Sequence, residues 1–398
     1  MHSIQNINFK NKKVFVRVDF NVPLNASLQV TDSTRIESAI PTLKFILKNG
    51  GSCIVASHLG RPKGVNKAQS LKNILPPLEL YLGQKVKFLP ECVGKETDEA
   101  CSMLNPGEVV LLENLRFFNE ETANNDNFAQ NLASLADIYI NDAFGTTHRK
   151  HASTHAITKH FSLKAPGFLL QAEISALNKF LKTPKKPVTA IIGGAKVSSK
   201  ISVIKNILKI ADNIIIGGGM SYTFIKGKGG QIGKSIFEPE LIMECNNILN
   251  LAQEKGVNII LAKDVYASKS FTDQKGELFE IDKIPNEYQG MDVGPKTLKT
   301  FDKLIKSSKT ILWNGPMGVF EFSNYELGTK AVAQSVASAT ENGAFSLVGG
   351  GDSVAALKKF KLFSKVSYIS TGGGAMLESL EGRMLPGIKA LNLPYERN

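Results

Sequence analysis

The chain has 398 residues with 48 Lys and Arg against 36 Asp and Glu, a formal net charge of +12. That length is more than one hydrophobic core fills comfortably and points to two domains of roughly 150 to 200 residues each. No apolar run approaches the ~20 residues that span a bilayer, and Cys53, Cys92, Cys101 and Cys245 lack metal-ligand spacing, which argues against zinc and for reduced thiols.

The start, Met1 to Lys13, is polar and has no signal-peptide core, so the expected location is the cytoplasm. The lysines are scattered, and neither an RNA-binding aromatic signature nor a helix-turn-helix accompanies them. Nucleic acid is therefore not an expected partner, nor is a membrane. A general positive field would still attract small polyanions.

Short Val- and Ile-rich runs alternate with helical stretches, the pattern of parallel sheets covered on both faces. In the first half, strands are predicted at Val14 to Phe20, Cys53 to Ser57, Val109 to Glu113 and Ile138 to Asn141, with helices at Ile36 to Leu47 and Leu71 to Tyr81. A helix over Ala172 to Leu181, ending in the Pro- and Lys-rich stretch Thr183 to Pro187, marks the joint. In the second half, strands are predicted at Val188 to Ile192, Asn213 to Ile216, Asn258 to Leu261, Thr310 to Trp313, Ala344 to Val348 and Val366 to Ile369. Helices are expected at Ser198 to Ile210 and Val354 to Phe360. No internal repeat is visible.

The halves differ in how they can hold an anion. Of seven arginines, Arg17, Arg35, Arg61, Arg116 and Arg149 lie in the first 149 positions, whereas 25 of the 34 glycines follow position 190. Ligands gather beyond the carboxyl ends of strands in open α/β sheets, and there the first half places Asp19 and Asn21, His58 and Arg61, Arg116, and His148 with Arg149. Arg35 comes at a helix start. Any one arginine would be an ordinary surface cation, but five in a lysine-preferring chain point to one anion pocket suited to forked recognition. Arg17 shares strand parity with Asp19 and reads as a supporting partner, and His58 as a donor to an anion.

In the second half, Gly193-Gly194-Ala195-Lys196 closes a strand and is expected to open a helix with Lys196 and Lys200 on one face, where its dipole favours bound phosphate. Gly349-Gly350-Gly351-Asp352-Ser353 repeats the device, with Asp352 as a hard oxygen ligand for magnesium. Gly217-Gly218-Gly219 and Gly372-Gly373-Gly374 end two more strands. Gly233-Lys234-Ser235 is not a P-loop, because Lys228 stands where that motif needs glycine. No dinucleotide fingerprint follows the first strand of either half.

The segments RVDFNVP, DSTRI, SHLGRPKG, LLENLRF, NDAFGTTHR, GGAKV, GGGMSYTF, WNGPMGVFE, GGGDS and STGGGA, in this order, resemble the phosphoglycerate kinase family from end to end. The resemblance implies an α/β fold of two Rossmann-like domains, each a parallel sheet flanked by helices, joined by a hinge helix across a cleft. Residues 1–168 would bind phosphoglycerate, with the tail 375–398 packing back on them and Leu385 to Asn398 docking there; residues 169–374 would bind nucleotide. The implied activity is reversible transfer of the acyl phosphate of 1,3-bisphosphoglycerate to ADP, giving 3-phosphoglycerate and ATP with magnesium, in a monomer.

By motif position, Asp19, Phe20, Asn21, Arg35, His58, Leu59, Gly60, Arg61, Arg116 and Arg149 would form the substrate site. Gly194, Ala195, Lys200, Gly218, Gly219, Gly290, Asn314, Pro316 and Val319 would line the nucleotide site, Glu321 would accept from the ribose, and Gly350, Gly351, Asp352 and Ser353 would hold phosphates, with Asp352 on the metal. Arg35, Lys196, Lys200, Gly350 and Gly351 would meet the transferring group once the cleft closes and excludes water. Ser199, Tyr368 and Met376 depart from the family pattern, which bears on closure and helix capping. Two other hypotheses are a kinase for a carboxylate lacking the distal phosphate, disfavoured by the number of arginines, and a non-catalytic polyanion-binding protein.

Overall fold

A computed structural model describes residues 3–392; the end of the expected docking tail, residues 393–398, lies outside the described residues. The chain divides into two compact units, one running to Ser175 and resumed from Met384, the other Ala176–Arg383. The division falls inside the helix Phe168–Leu181.

The strands are β1 (Lys13–Val18), β2 (Ser52–Ala56), β3 (Lys87–Leu89), β4 (Val109–Leu112), β5 (Ile138–Asp142) and β6 (Lys164–Pro166) in the first unit. The second has β7 (Val188–Ile192), β8 (Asn213–Ile216), β9 (Gln231–Ile232), β10 (Asn258–Ile260), β11 (Asp264–Ser268), β12 (Glu277–Glu280), β13 (Lys283–Ile284), β14 (Gln289–Val293), β15 (Thr310–Asn314), β16 (Phe345–Val348) and β17 (Tyr368–Ile369).

The first unit is built on a six-stranded sheet in the order β3-β4-β2-β1-β5-β6, and its pairings are parallel. The second repeats the device with β10-β8-β7-β15-β16-β17, also parallel. Helices on both faces bury the central strands, which is why β2, β4, β5, β7, β8 and β15 read as near-continuous apolar runs and are buried along their whole length. In each sheet the connections run first to one side of the opening strand and then to the other. The resulting crevices, at β1/β5 and at β7/β15, lie where such folds place ligands.

Several elements differ from the sequence expectation. β3 and β6 were not predicted: each is three residues and includes a lysine, too short for a periodic signal. The small sheets β12-β11-β14 and β13-β9 were also missed: β9 and β13 are two residues each, and β11, β12 and β14 carry charged or polar residues that interrupt an apolar run. The helix Phe168–Leu181 begins four residues before Ala172 because its first turn is satisfied from outside, with Phe168 N–H donating to Thr42 Oγ1 (2.9 Å) and Leu170 N–H to Asp142 Oδ1 (3.0 Å). At the other end of the chain, Gly387 N–H donates to the Thr147 carbonyl (2.8 Å), and Leu385, Ile388 and Leu391 are buried on the first unit.

Candidate functional site

The first unit gathers its polar residues beyond β1, β2, β4 and β5. Asp19, 7% exposed, receives Arg35 Nη1 on both carboxylate oxygens at 3.2 and 3.1 Å, and the same nitrogen donates to the Asn21 carbonyl at 3.0 Å. Arg35 stands in the first turn of the helix Thr34–Lys48, so the helix and the β1 loop aim one guanidinium together. Buried Phe20 donates its N–H to Ser57 Oγ (2.8 Å), and Asn21 Oδ1 accepts from Gly60 N–H (2.8 Å), tying the β1 loop to the β2 loop.

Gly60 has φ +65°, and a Cβ there would lie 2.0 Å from Gln69 Nε2. A side chain at this position would be strained by conformation and would have to displace the Gln69 amide. Its carbonyl accepts from Arg116 Nη1 at 2.5 Å. Asn114, fully buried, organises the same corner: Oδ1 accepts from Leu59 N–H (3.2 Å) and Arg116 N–H (3.0 Å), while Nδ2 donates to the Leu59 and Gln69 carbonyls (2.8 Å each). The sequence reading missed Asn114, although an asparagine opening a short turn in LLENLRF is a capping signal.

The histidines report how near the guanidiniums stand. Burial lowers the His58 pKa well below its ordinary value, and Arg17, Arg116 and Arg35 push it further. His151 is depressed to about 3 by burial and by Arg17, Arg116 and Arg149. Burial, Arg17 and Arg149 bring Arg116 down to about 10, which still leaves it cationic at neutral pH. Arg149 Nε donates to His148 Nε2 (3.0 Å), which places the proton of neutral His148 on Nδ1. Arg35, Arg116 and Arg149 are thus drawn together with His58, whereas Arg61 stands exposed at the end of the same loop. Arg17 is fully buried behind them.

In the second unit the loops after β7, β8 and β15 are braided. Gly193 N–H donates to the Asn314 carbonyl (2.9 Å), Gly194 N–H to Pro316 (3.2 Å) and Gly218 N–H to Met317 (3.1 Å). A Cβ on Gly193 would lie 2.1 Å from the Pro316 oxygen, and one on Gly218 2.7 Å from Gly194. The glycines are therefore needed for backbone contact with backbone. Gly193→Ala is expected to destabilise the second unit by about 1–3 kcal/mol, the cost of overpacking; a lowered urea midpoint with an unchanged slope checks it.

Gly219 packs by Ala195. Gly290 on β14 donates its N–H to Ser235 Oγ (2.9 Å), and Val319 N–H donates to the neighbouring Met291 carbonyl (2.9 Å). This ties the loop carrying Pro316 and Val319 to β14 beside Gly290, with Glu321 exposed further along the same loop.

At the phosphate end, Gly350 (φ +91°) caps the nine-residue helix Gly351–Lys359, which begins three residues before the expected Val354, so Gly351, Asp352 and Ser353 form its first turn. Ser353 is buried and its hydroxyl accepts from Gly315 N–H (2.7 Å). Asn314, expected beside adenosine, is buried and links two neighbouring loops: Oδ1 accepts from Lys200 Nζ and Nδ2 donates to the Gly349 carbonyl (2.9 Å). Burial brings the Lys200 ammonium down to about 8, opposed by the Asp352 carboxylate.

The expectation of one helical face carrying Lys196 and Lys200 is overturned. The helix spans Ile201–Ile207 and Lys200 is its N-cap at φ −127°, ψ −8°, while Lys196 is exposed in the preceding turn. Glu238, forty residues away, accepts from Ser198 N–H (3.0 Å) and Oγ (2.6 Å) and holds that turn out of the helix. Of the family departures, Met376 packs its sulfur against Gly349, 2.0 Å from where a Cβ would lie, and Ser199 Oγ donates to the Lys196 carbonyl (2.9 Å).

Among the described residues no group of three His, Cys, Asp or Glu is placed to hold a metal. Magnesium that arrives on nucleotide phosphates needs only one or two carboxylates and keeps several waters. The exposed Asp352, in the first turn of a helix and beside Lys200, fits that requirement.

Residues 4–383 match the family model described as phosphoglycerate kinase. The phosphoglycerate kinase of Porphyromonas gingivalis is 48% identical, covering 98% of this chain and 99% of its own, and the cytosolic phosphoglycerate kinase of Triticum aestivum is 48% identical over 96% of each chain. The solved phosphoglycerate kinase of Coxiella burnetii superposes with a TM-score of 0.90 at 39% identity, covering 98% of both chains. With the motifs in family order, both parallel sheets in place and relatives matching almost the whole length, the chain belongs to the phosphoglycerate kinase family.

Proposed function

We propose that the first unit holds 3-phosphoglycerate or 1,3-bisphosphoglycerate and the second holds magnesium-ADP or magnesium-ATP, for the family's reaction: reversible transfer of the acyl phosphate of 1,3-bisphosphoglycerate to ADP. The observation that carries the assignment is the gathering of Arg35, Arg116 and Arg149 with neutral His58 near Asp19, the guanidiniums standing close enough to lower the affinity of their neighbours for protons. Such a set is costly without a multiply charged anion, and its forked donors match phosphate and carboxylate oxygens.

In the forward direction a β-phosphate oxygen of ADP attacks the acyl phosphorus, the new P–O bond forms as the acyl P–O bond breaks, and the carboxylate of 3-phosphoglycerate leaves with the electron pair. No proton moves and no covalent enzyme intermediate is needed, so positioning and charge stabilisation carry the catalysis. For the equatorial oxygens of the group in transfer, the first unit offers Arg35 and the second offers Lys196, Lys200 and the Gly350 and Gly351 amides. Asp19, Asn21, His58, Leu59, Gly60, Arg61, Arg116 and Arg149 fix the phosphoglycerate. Gly194, Ala195, Gly218, Gly219, Gly290, Pro316 and Val319 surround adenosine, with Asn314 aiming Lys200 and Ser353 bracing Gly315. When bound, magnesium neutralises phosphate charge, with Asp352 as its protein ligand.

The test is a coupled assay with ATP and 3-phosphoglycerate, following reduction of the product by NADH. Magnesium-dependent turnover, absent when glycerate replaces 3-phosphoglycerate, supports the assignment; equal turnover of glycerate refutes the phosphate-recognition role of the arginines. Glu321→Ala should raise the ADP KM about tenfold, the value of one hydrogen bond to a charged acceptor, with kcat little changed. A collapsed kcat at unchanged KM would contradict its place at the ribose. We further propose that the protein acts as a cytoplasmic monomer.

A further inference from the structure

Behind the substrate-facing residues runs a buried polar chain that the reaction itself does not use. Arg17 is fully buried on β1, with Nε donating to Ser153 Oγ (2.8 Å), Nη1 to the Val18 carbonyl, and Nη2 to His58 Nδ1 (3.3 Å). Ser153 in turn donates its hydroxyl to Glu121 Oε1 (2.7 Å) and its N–H to Oε2 (2.9 Å), and both residues are fully buried. The directions are forced. A guanidinium has only donors, so the serine must accept from arginine and spend its proton on the glutamate. The result is a cation and an anion joined through one hydroxyl, with the guanidinium plane fixed at three points.

We infer that Arg17 is a positioning residue that locks His58 in the neutral tautomer with its proton on Nε2, so that His58 meets the phosphoglycerate as a fixed, uncharged donor. The lock follows from the same rule: Nδ1 faces an N–H of Arg17 and must present its lone pair, which leaves the ring proton on the other nitrogen. Protonating Nδ1 would set donor against donor and cation against cation. The other charged groups facing the ring, Arg116 after β4, Arg35 at the start of its helix and His151 after β5, also oppose a positive imidazole. His58 is 3% exposed, so its ring has little freedom to turn away. Glu121 has a second function in this arrangement, as the counter-charge that lets a fully buried arginine exist behind a site already crowded with cations. The inference rests on the assignment of His58 to the phosphoglycerate site.

The experiment uses the full-length protein labelled with 15N-histidine and two-bond proton–nitrogen correlation spectra from about pH 5 to 8, the range in which an ordinary histidine titrates. His58 is assigned by its absence in His58→Gln. A pyridine-like Nδ1 and a pyrrole-like Nε2 that do not change across the range support the lock; a protonated Nδ1, or a ring that titrates normally, overturns it. In Arg17→Lys the ammonium cannot reach Ser153, Val18 and His58 in one plane, so His58 should show mixed tautomers and the KM for 3-phosphoglycerate should rise about tenfold while that for ADP stays unchanged. Unchanged His58 signals in a folded Arg17→Lys protein overturn the positioning role. If that variant does not fold, Ser153→Ala tests the same relay by the same signals, and the wild-type spectrum decides the tautomer by itself. An unaltered KM for 3-phosphoglycerate in His58→Gln would instead refute the site assignment, whatever the tautomer.

Discussion

Arg35→Ala is expected to lower kcat by about a hundredfold or more, the usual scale for losing one donor to charge that develops in a transition state. The structure adds a second consequence. Arg35 Nη1 is shared between both oxygens of Asp19 and the carbonyl of Asn21, so the guanidinium is held at the carboxyl end of β1 before any substrate arrives. Removing it leaves a carboxylate that is 7% exposed without its cation, facing the anion it should help to bind. The KM for 3-phosphoglycerate should therefore rise as well. Arg35→Lys restores the charge but not the fork, and should recover KM better than kcat. Steady-state kinetics in the coupled assay check both, and a near-normal kcat in a folded Arg35→Ala protein would refute the role.

Lys200→Met is expected to cost two to three orders of magnitude in kcat, again on the scale of an essential donor to the phosphoryl oxygens. It also leaves buried Asn314 Oδ1 without its donor, so the turn at Gly349 to Gly351, which Asn314 holds through Nδ2, should loosen. The wild-type pH profile carries an independent signature. Burial brings the Lys200 ammonium down to about 8, so its positive charge is present below that pH and lost as pH rises through it. In the free enzyme kcat/KM for the nucleotide should fall on the alkaline side with that pKa. Bound phosphate favours the charged form, which moves the break in kcat to higher pH. A kcat/KM profile without this limb would show that Lys200 does not carry the charge assigned to it.

The central strands legible in the sequence share one physical property, burial on both faces. β7 and β8 have the predicted bounds because a central parallel strand has no solvent side and reads as a short run dominated by Val and Ile. β3 and β6, each three residues long with a lysine in the run, give no such signal and are strands because the sheet edge offers them hydrogen bonds. The helix after β7 fails for a different reason. Apolar periodicity continues smoothly from Ser198 to Ile210, but a carboxylate forty residues downstream captures Ser198 and turns the chain out of the helix. Local pattern cannot contain a partner that distant in sequence.

The glycine clusters show the same limit. Their runs mark where backbone must come close, but only the braided loops reveal that the close approach at Gly193 and Gly218 is to other backbone. Asn314 could be read as part of a nucleotide motif, yet its direction, toward Lys200 and Gly349, depends on the register of β15 between β7 and β16.

By itself the sequence determined the class of the fold and the family, because apolar runs, arginine placement and glycine turns are local consequences of burial and charge. Only the tertiary structure decided how the charges are held. Glu121 lies far along the chain from Arg17, and Ser153 further still, and it is the sheet order β2-β1-β5 that makes them neighbours of His58. Directed hydrogen bonds need atoms within about 3 Å of each other, and no periodicity in a chain encodes that distance between residues more than a hundred positions apart.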